Sequence, residues 1–172
     1  LPSTPVRKAT LYATASSTKP SRQFVYRMWV NGYFVGLGPV FPVENESRGN
    51  TFDVTGLLQA GPNAMGVLAW TMRERRFWAY MEIVLADGCH MTYGTGSNWK
   101  GIVGNRAYPN ADSIGTQYFE APAEDMQTQW YPFGFSEPGF DDSSWPKAVP
   151  CEQFDDLRLT PTANVGVHYL DP

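Results

Sequence analysis

The sequence predicts an all-β fold, an antiparallel sandwich, on three observations. Short runs alternate apolar and polar residues, a turn signal ends nearly every run, and no stretch keeps a helical period for a useful length. The clearest run is Phe24-Val25-Tyr26-Arg27-Met28-Trp29-Val30, in which residues 24, 26, 28 and 30 share an apolar face and Arg27 lies on the other. It stops at Asn31-Gly32, a pair that accepts the positive φ angles of a tight hairpin. Similar runs cover residues 10–15, 64–70, 79–86 and 89–94. Ala60-Gly61-Pro62-Asn63, Asp87-Gly88 and Gly94-Thr95-Gly96 punctuate them. Residues 54–58 predict a single helical turn, with Asp53 as N-cap and Gly61 beyond its end. Residues 101–138, rich in Pro, Gly and Asn, read as loops crossed by one or two strands, and residues 157–160 as a last strand. Without repeat, low-complexity tract or linker, residues 1–172 read as one domain.

Composition narrows the function. A chain of 172 residues buries a core without metal or disulfide support. Aromatics make up 15 % and charged residues only 17 %, a balance suited to a β-rich domain with exposed rings. A net charge of −4 argues against nucleic acid as partner, because phosphate binding asks for a basic face. The cluster Arg73, Arg75 and Arg76, interrupted by Glu74, is too small to reverse that. No apolar run is long enough to span a membrane. No signal peptide opens the chain; a secreted protein in mature form has lost its own, and the sequon Asn45-Glu46-Ser47 is compatible with an extracellular location. Cys89 and Cys151 form either one disulfide or two unpaired buried thiols, and with His90 and His168 they lack metal-motif spacing.

Catalytic patterns are absent. Asp141-Asp142 and Asp155-Asp156 are adjacent residues, whereas the carboxylates of glycoside hydrolysis face each other across a cleft, so both pairs read as acidic turns. Neither a Gly-x-Ser-x-Gly elbow nor a Gly-rich phosphate loop occurs, and neither histidine has a nucleophile partner. The expectation is a binding domain rather than an enzyme.

Four pieces in order carry a family resemblance. They are Met28-Trp29-Val30-Asn31-Gly32-Tyr33-Phe34-Val35-Gly36 with Gly38-Pro39; Thr51-Phe52-Asp53-Val54-Thr55 with Gly61-Pro62-Asn63-Ala64-Met65-Gly66-Val67; Asp87-Gly88 followed by Thr95-Gly96-Ser97-Asn98-Trp99-Lys100; and Gly139-Phe140-Asp141-Asp142-Ser143-Ser144-Trp145. Over most of its length the chain resembles the β-sandwich modules of α-L-rhamnosidases of glycoside hydrolase family 78. Within those it is similar to carbohydrate-binding module family 67, a galactose-binding-domain-like jelly roll. The resemblance implies recognition of terminal L-rhamnose on plant glycans, with a calcium ion touching the sugar hydroxyls, beside an attached or co-secreted glycoside hydrolase or lyase. It departs at Gly115-Thr116-Gln117-Tyr118-Phe119-Glu120-Ala121, where the family often carries Gly-Glu-x-Tyr-Asp-Ala-Arg.

Calcium takes hard oxygen ligands, and a pyranose takes an apolar platform with converging polar groups. The loops with that chemistry point to Glu44, Asn45, Asn105 and the Pro109 carbonyl as calcium ligands, with Asn110 as a further sugar contact. A glycan on Asn45 would exclude its ligation of calcium. Trp70 and Trp78 border the loop Thr71-Met72-Arg73-Glu74-Arg75-Arg76-Phe77, and one of them is the expected stacking platform, with Arg76 offering two hydrogen bonds to vicinal hydroxyls. Two other functions stay open: a structural domain of a rhamnosidase that binds no sugar, and a small rhamnosyl-glycan hydrolase or lyase.

Overall fold

A computed structural model describes residues 1–16, 24–40, 48–71, 76–111 and 125–151. Among these, the strands are β1 (Val6–Ser16), β2 (Phe24–Val30), β3 (Tyr33–Gly38), β4 (Asn50–Asp53), β5 (Met65–Thr71), β6 (Arg76–Leu85) and β7 (His90–Gly94). They form two antiparallel sheets, one of order β4-β1-β6-β7 and one of order β3-β2-β5. The remaining described elements are 3-10 turns at Thr55–Leu57, Gly104–Arg106 and Thr128–Trp130. The protein is an antiparallel β-sandwich of the jelly-roll kind.

The side-chain period of two decides which residues meet between the sheets. From β2 the inward set is Phe24, Tyr26, Met28 and Val30, all buried, as the alternation predicts. From β1 it is Ala9, Leu11, Ala13 and Ala15, and from β6 Ala79, Met81, Ile83 and Leu85. The alanines of β1 leave room for Tyr26, whose ring meets Phe77 edge-on at 5.4 Å and is wholly buried. Its hydroxyl reaches Asn50 Oδ1 at 3.1 Å, and the same oxygen accepts the Val40 N–H at 2.9 Å. Burial drives the Tyr26 phenol far above its ordinary pKa, so it stays a neutral hydrogen-bonding group.

The hairpin forms at Asn31-Gly32, both at positive φ. Asn31 also ties three segments together, its amide donating to Leu57 O at 2.8 Å and Asn63 Oδ1 at 2.7 Å while its oxygen accepts the Ala64 N–H at 2.8 Å.

Several expectations are corrected. The helical turn exists, but Val54 occupies its cap position and makes no side-chain cap bond. Asp53 stands one residue earlier and bonds the Thr55 N–H at 2.9 Å and hydroxyl at 2.6 Å, and Thr55 Oγ1 accepts the Ala9 N–H at 2.9 Å. The carboxylate thus accepts a backbone N–H of the turn, as expected, but from one position before the cap, and it orients the Thr55 hydroxyl that accepts from β1. Cys89 and Cys151 are both free and exposed, neither bonded to each other nor buried. The described parts of 101–138 hold 3-10 turns and no strand. The last strand expected at residues 157–160 lies outside the described residues.

Two predictions follow from this packing. A Cβ on Gly66 would stand 2.6 Å from Ser136 Cβ and 2.9 Å from the Ser136 backbone, whereas one on Gly56 meets nothing within 4 Å. Gly66→Ala should therefore lose roughly 1–3 kcal/mol in urea unfolding, with Gly56→Ala as the near-neutral control. The bonds from Thr55 hold the Asp53 carboxyl below its ordinary pKa. A lowered folded pKa contributes stability that is complete above the unfolded value near 3.9 and lost as pH falls through the folded one. Asp53→Asn should cost under about 1 kcal/mol at pH 7, given the exposed position, and converge with the parent protein on acidification.

Candidate functional site

The outward face of the three-stranded sheet is not polar, as one solvated face of an antiparallel sheet usually is. Register sets Val25 beside Trp70, Arg27 between Leu37 and Leu68, and Trp29 between Phe34 and Gly66. A cover formed by residues 104–111 and 125–140 shields part of this face. It does so through a chain of ring contacts: Phe34 to Trp29 at 6.0 Å, Trp29 to Phe135 at 5.6 Å, Phe135 to Tyr131 at 6.1 Å and Tyr131 to Tyr108 at 6.0 Å. Most of these meet near right angles, the geometry that aromatic quadrupoles favour. The indole N–H of Trp70 donates to the Ala111 carbonyl and pins the 104–111 turn to β5.

The cover leaves an open cleft continuous with space between the sheets: the whole cavity, about 1450 Å³, is lined by Tyr26, Phe77, Met81 and Ile83 of the inner faces as well as by outer-face residues. Arg27, Leu37, Leu68, Trp70, Tyr108 and Tyr131 contribute to its lining, as do Asn105 and Pro109. Leu37 is 56 % exposed at the rim, with Ile102 and Val103 also exposed there. Burial raises the Tyr131 phenol above its usual pKa, against the pull of the Arg27 charge. Tyr131 is therefore a neutral donor and acceptor near a fixed cation. Farther along, Lys100 and Asp142 neutralise each other at 2.8 Å, and Arg106 lies over the Trp130 ring at 3.4 Å.

The expected residues divide between places. Trp70, Asn105 and Pro109 come together at this cleft. Trp78 projects from the opposite side of the sandwich, outward from β6, with its ring 6.2 Å from Tyr80 and nearly parallel to it. The two tryptophans therefore cannot serve one ligand together. Arg76 is not a loop residue: it opens β6 and is buried. Asn110 is exposed and donates to Asp125 Oδ2 at 2.9 Å. Glu44, Asn45, the loop 72–75 and the divergent stretch 115–121 lie outside the described residues. Arg27 and Tyr131 were not singled out beforehand. Arg27 was readable as the polar residue on the outer face of β2; Tyr131 had no local signal, because only the fold brings it over that strand.

Calcium asks for six to eight oxygens with carboxylates among them. The described donors, Asn105, Asn110 and the Pro109 carbonyl, are neutral groups on an exposed turn, and the nearby Asp125 carboxylate accepts from Asn110. No group of three Asp, Glu, His or Cys side chains gathers among the described residues. These donors do not make a calcium site by themselves. Asp141-Asp142 is an acidic turn as expected: Asp141 accepts the Ser143 N–H at 3.0 Å and is held below its ordinary pKa by Ser143, while Asp142 takes Lys100. Among the described residues, no helix is long and apolar enough to cross a membrane.

No protein-family model and no curated protein sequence matches the chain. Solved structures do. The chain is similar to part of an α-L-rhamnosidase of Streptomyces avermitilis complexed with L-rhamnose, at 25 % identity and a TM-score of 0.66, over 91 % of this chain and 15 % of that one. It is also similar to α-L-rhamnosidases of Dictyoglumus thermophilum (17 % identity, TM-score 0.69, 94 % of this chain and 18 % of that one) and Aspergillus terreus (20 %, 0.62, 91 % and 19 %). The chain thus corresponds to a domain-sized portion, under a fifth, of these rhamnosidases.

Trp70→Phe keeps a ring on β5 and removes only the bond to Ala111. It should cost about 1 kcal/mol in unfolding and raise hydrogen exchange in residues 104–111 without disturbing β1 or β6.

Proposed function

We propose that the chain is a non-catalytic accessory domain of an α-L-rhamnosidase-type enzyme, and that its cleft over β3-β2-β5 binds an L-rhamnose-bearing glycan end. The observation that carries this is that Trp70, Arg27, Tyr108 and Tyr131 all line the same open cavity on this side of the sheet. An aromatic face suits the apolar side and methyl group of a deoxy sugar, and a guanidinium can donate to two neighbouring hydroxyls. The likeness to part of an enzyme complexed with L-rhamnose supports the choice of sugar. Binding of this kind is weak for one ring, and its value lies in raising the local concentration of a linked enzyme on its polymer. Calcium belongs to the proposal only as the cation expected from the resemblance, with Glu44, Asn45, Asn105 and the Pro109 carbonyl as its ligands; no contact described above depends on it. An extracellular setting is part of the same reading.

A second reading, a buttress that binds no sugar, is favoured by Trp130 and Phe133. They stay 48 % and 63 % exposed on the covering segment, where a neighbouring domain could pack.

Titration calorimetry with L-rhamnose separates the two. The parent protein should release heat, and Arg27→Ala should weaken binding by about tenfold or more, while Trp70→Ala should weaken it by more than Trp70→Phe, which shares the lost bond to Ala111. No heat with any form overturns sugar binding and leaves the buttress. Heat lost on adding a chelator supports calcium, and heat that survives it rejects calcium. Turnover of a rhamnosylated polymer by the isolated chain would overturn the non-catalytic reading.

A further inference from the structure

The outer face of the four-stranded sheet carries a feature the cleft does not use. Tyr12 on β1 pairs with Tyr80 on β6, and Trp78 follows Tyr80 two residues back on the same face. Their rings are nearly parallel, Tyr12 to Tyr80 at 6.4 Å and 27°, Tyr80 to Trp78 at 6.2 Å and 16°. All three are partly exposed. Their neighbours in register are small or hydroxylated: Thr51 beside Tyr12, Gly94 beside Tyr80, and Thr10 beside Glu82. Trp78 and Tyr80 follow one another along β6, and Tyr12 flanks Tyr80 across the β1–β6 register. At the Trp78 end the row is bounded by Thr14, which is buried and bonded to the Arg48 carbonyl at 2.7 Å.

We propose that Tyr12, Tyr80 and Trp78 form a second carbohydrate-binding strip, for a neutral polysaccharide lying along β6 on the face opposite the cleft. The chemistry selects this occupant. Each ring offers an apolar body and a polar tip, the combination that suits the alternating C–H and O–H surface of a sugar chain. The Glu82 carboxylate, which accepts the Tyr12 hydroxyl at 3.4 Å, and the Asp53 carboxylate, engaged by Thr55, put two negative charges on the same face beside the exposed Lys8, so the strip disfavours an anionic polymer. The inference stands without the rhamnose reading, since it uses none of the cleft residues.

Native affinity electrophoresis of the full chain tests it, in gels containing soluble galactan, xylan or mannan as neutral probes and polygalacturonate as the anionic one. At least one neutral polymer should retard the protein. Trp78→Ala and Tyr80→Thr should each weaken that retardation by about tenfold, Tyr80→Phe should retain most of it, and Trp70→Ala should leave it unchanged. Where Trp78→Ala lowers the melting temperature, the Tyr80 pair carries the comparison. Retardation by no neutral polymer, by polygalacturonate alone, or equally in both substituted forms overturns the strip. So does concentration-dependent self-association, measured by sedimentation, that Tyr80→Thr abolishes. Titration with L-rhamnose reads the cleft separately, so either site can fail alone.

Discussion

Close approach at Gly66 is the constraint on which the cleft depends. The three-stranded sheet has apolar and aromatic residues on both faces, so its outer face needs a partner as much as its inner one does. The partner is the segment carrying Phe135 and Ser136; it approaches β5 where that strand lacks a side chain, at Gly66, and its Ser136 carbonyl accepts the Gly32 N–H of the hairpin at 3.0 Å. That approach sets Phe135 edge-on to Trp29 and, through Phe135, sets Tyr131 above the strand that bears Arg27. A second tie, from the Trp70 indole to the Ala111 carbonyl, fixes the other wall. The cleft is the space left between these two anchors, and its polar groups come from whatever the strands and the covering segment expose there.

The two sheets solve the outer-face problem differently. On β3-β2-β5 the rings are interlocked by a covering segment, which converts most of them into packing and leaves a concave remainder. On β4-β1-β6-β7 the rings of Tyr12, Tyr80 and Trp78 lie above threonine and glycine, and they support one another across register rather than through a lid. The aromatic content that marks this chain is thus distributed over three layers: the core around Tyr26 and Phe77, the covered face, and the open row.

How much of this was legible in the sequence follows from the range of each signal. Strand alternation is local, so the burial of Phe24, Tyr26, Met28 and Val30 and the hairpin at Asn31-Gly32 could be read directly. The short strand Asn50–Asp53 was missed as a strand because four residues carry too little period, and because Asp53 resembled a helix cap. Trp70 and Trp78 look like neighbours across a short loop, yet they sit on strands of different sheets and their outward faces oppose. Arg76 reads as one of three loop arginines and is instead the buried first residue of β6. The meeting of Tyr131 with Arg27 depends on a long-range cover, which no local pattern encodes.

Among the described residues, the displaced carboxyls and the displaced phenols move in opposite directions. A general acid for glycosidic oxygen needs a carboxyl raised towards neutrality by apolar surroundings. The carboxyls with a definite displacement, Asp53 and Asp141, are both lowered, each by hydrogen bonds from the residue two places on. Asp142 and Asp125 are already engaged by Lys100 and Asn110. The groups displaced upwards are phenols, Tyr12, Tyr26 and Tyr131, each chiefly by burial. A phenol moved up from ten holds its proton throughout the physiological range and can both donate to and accept from a hydroxyl.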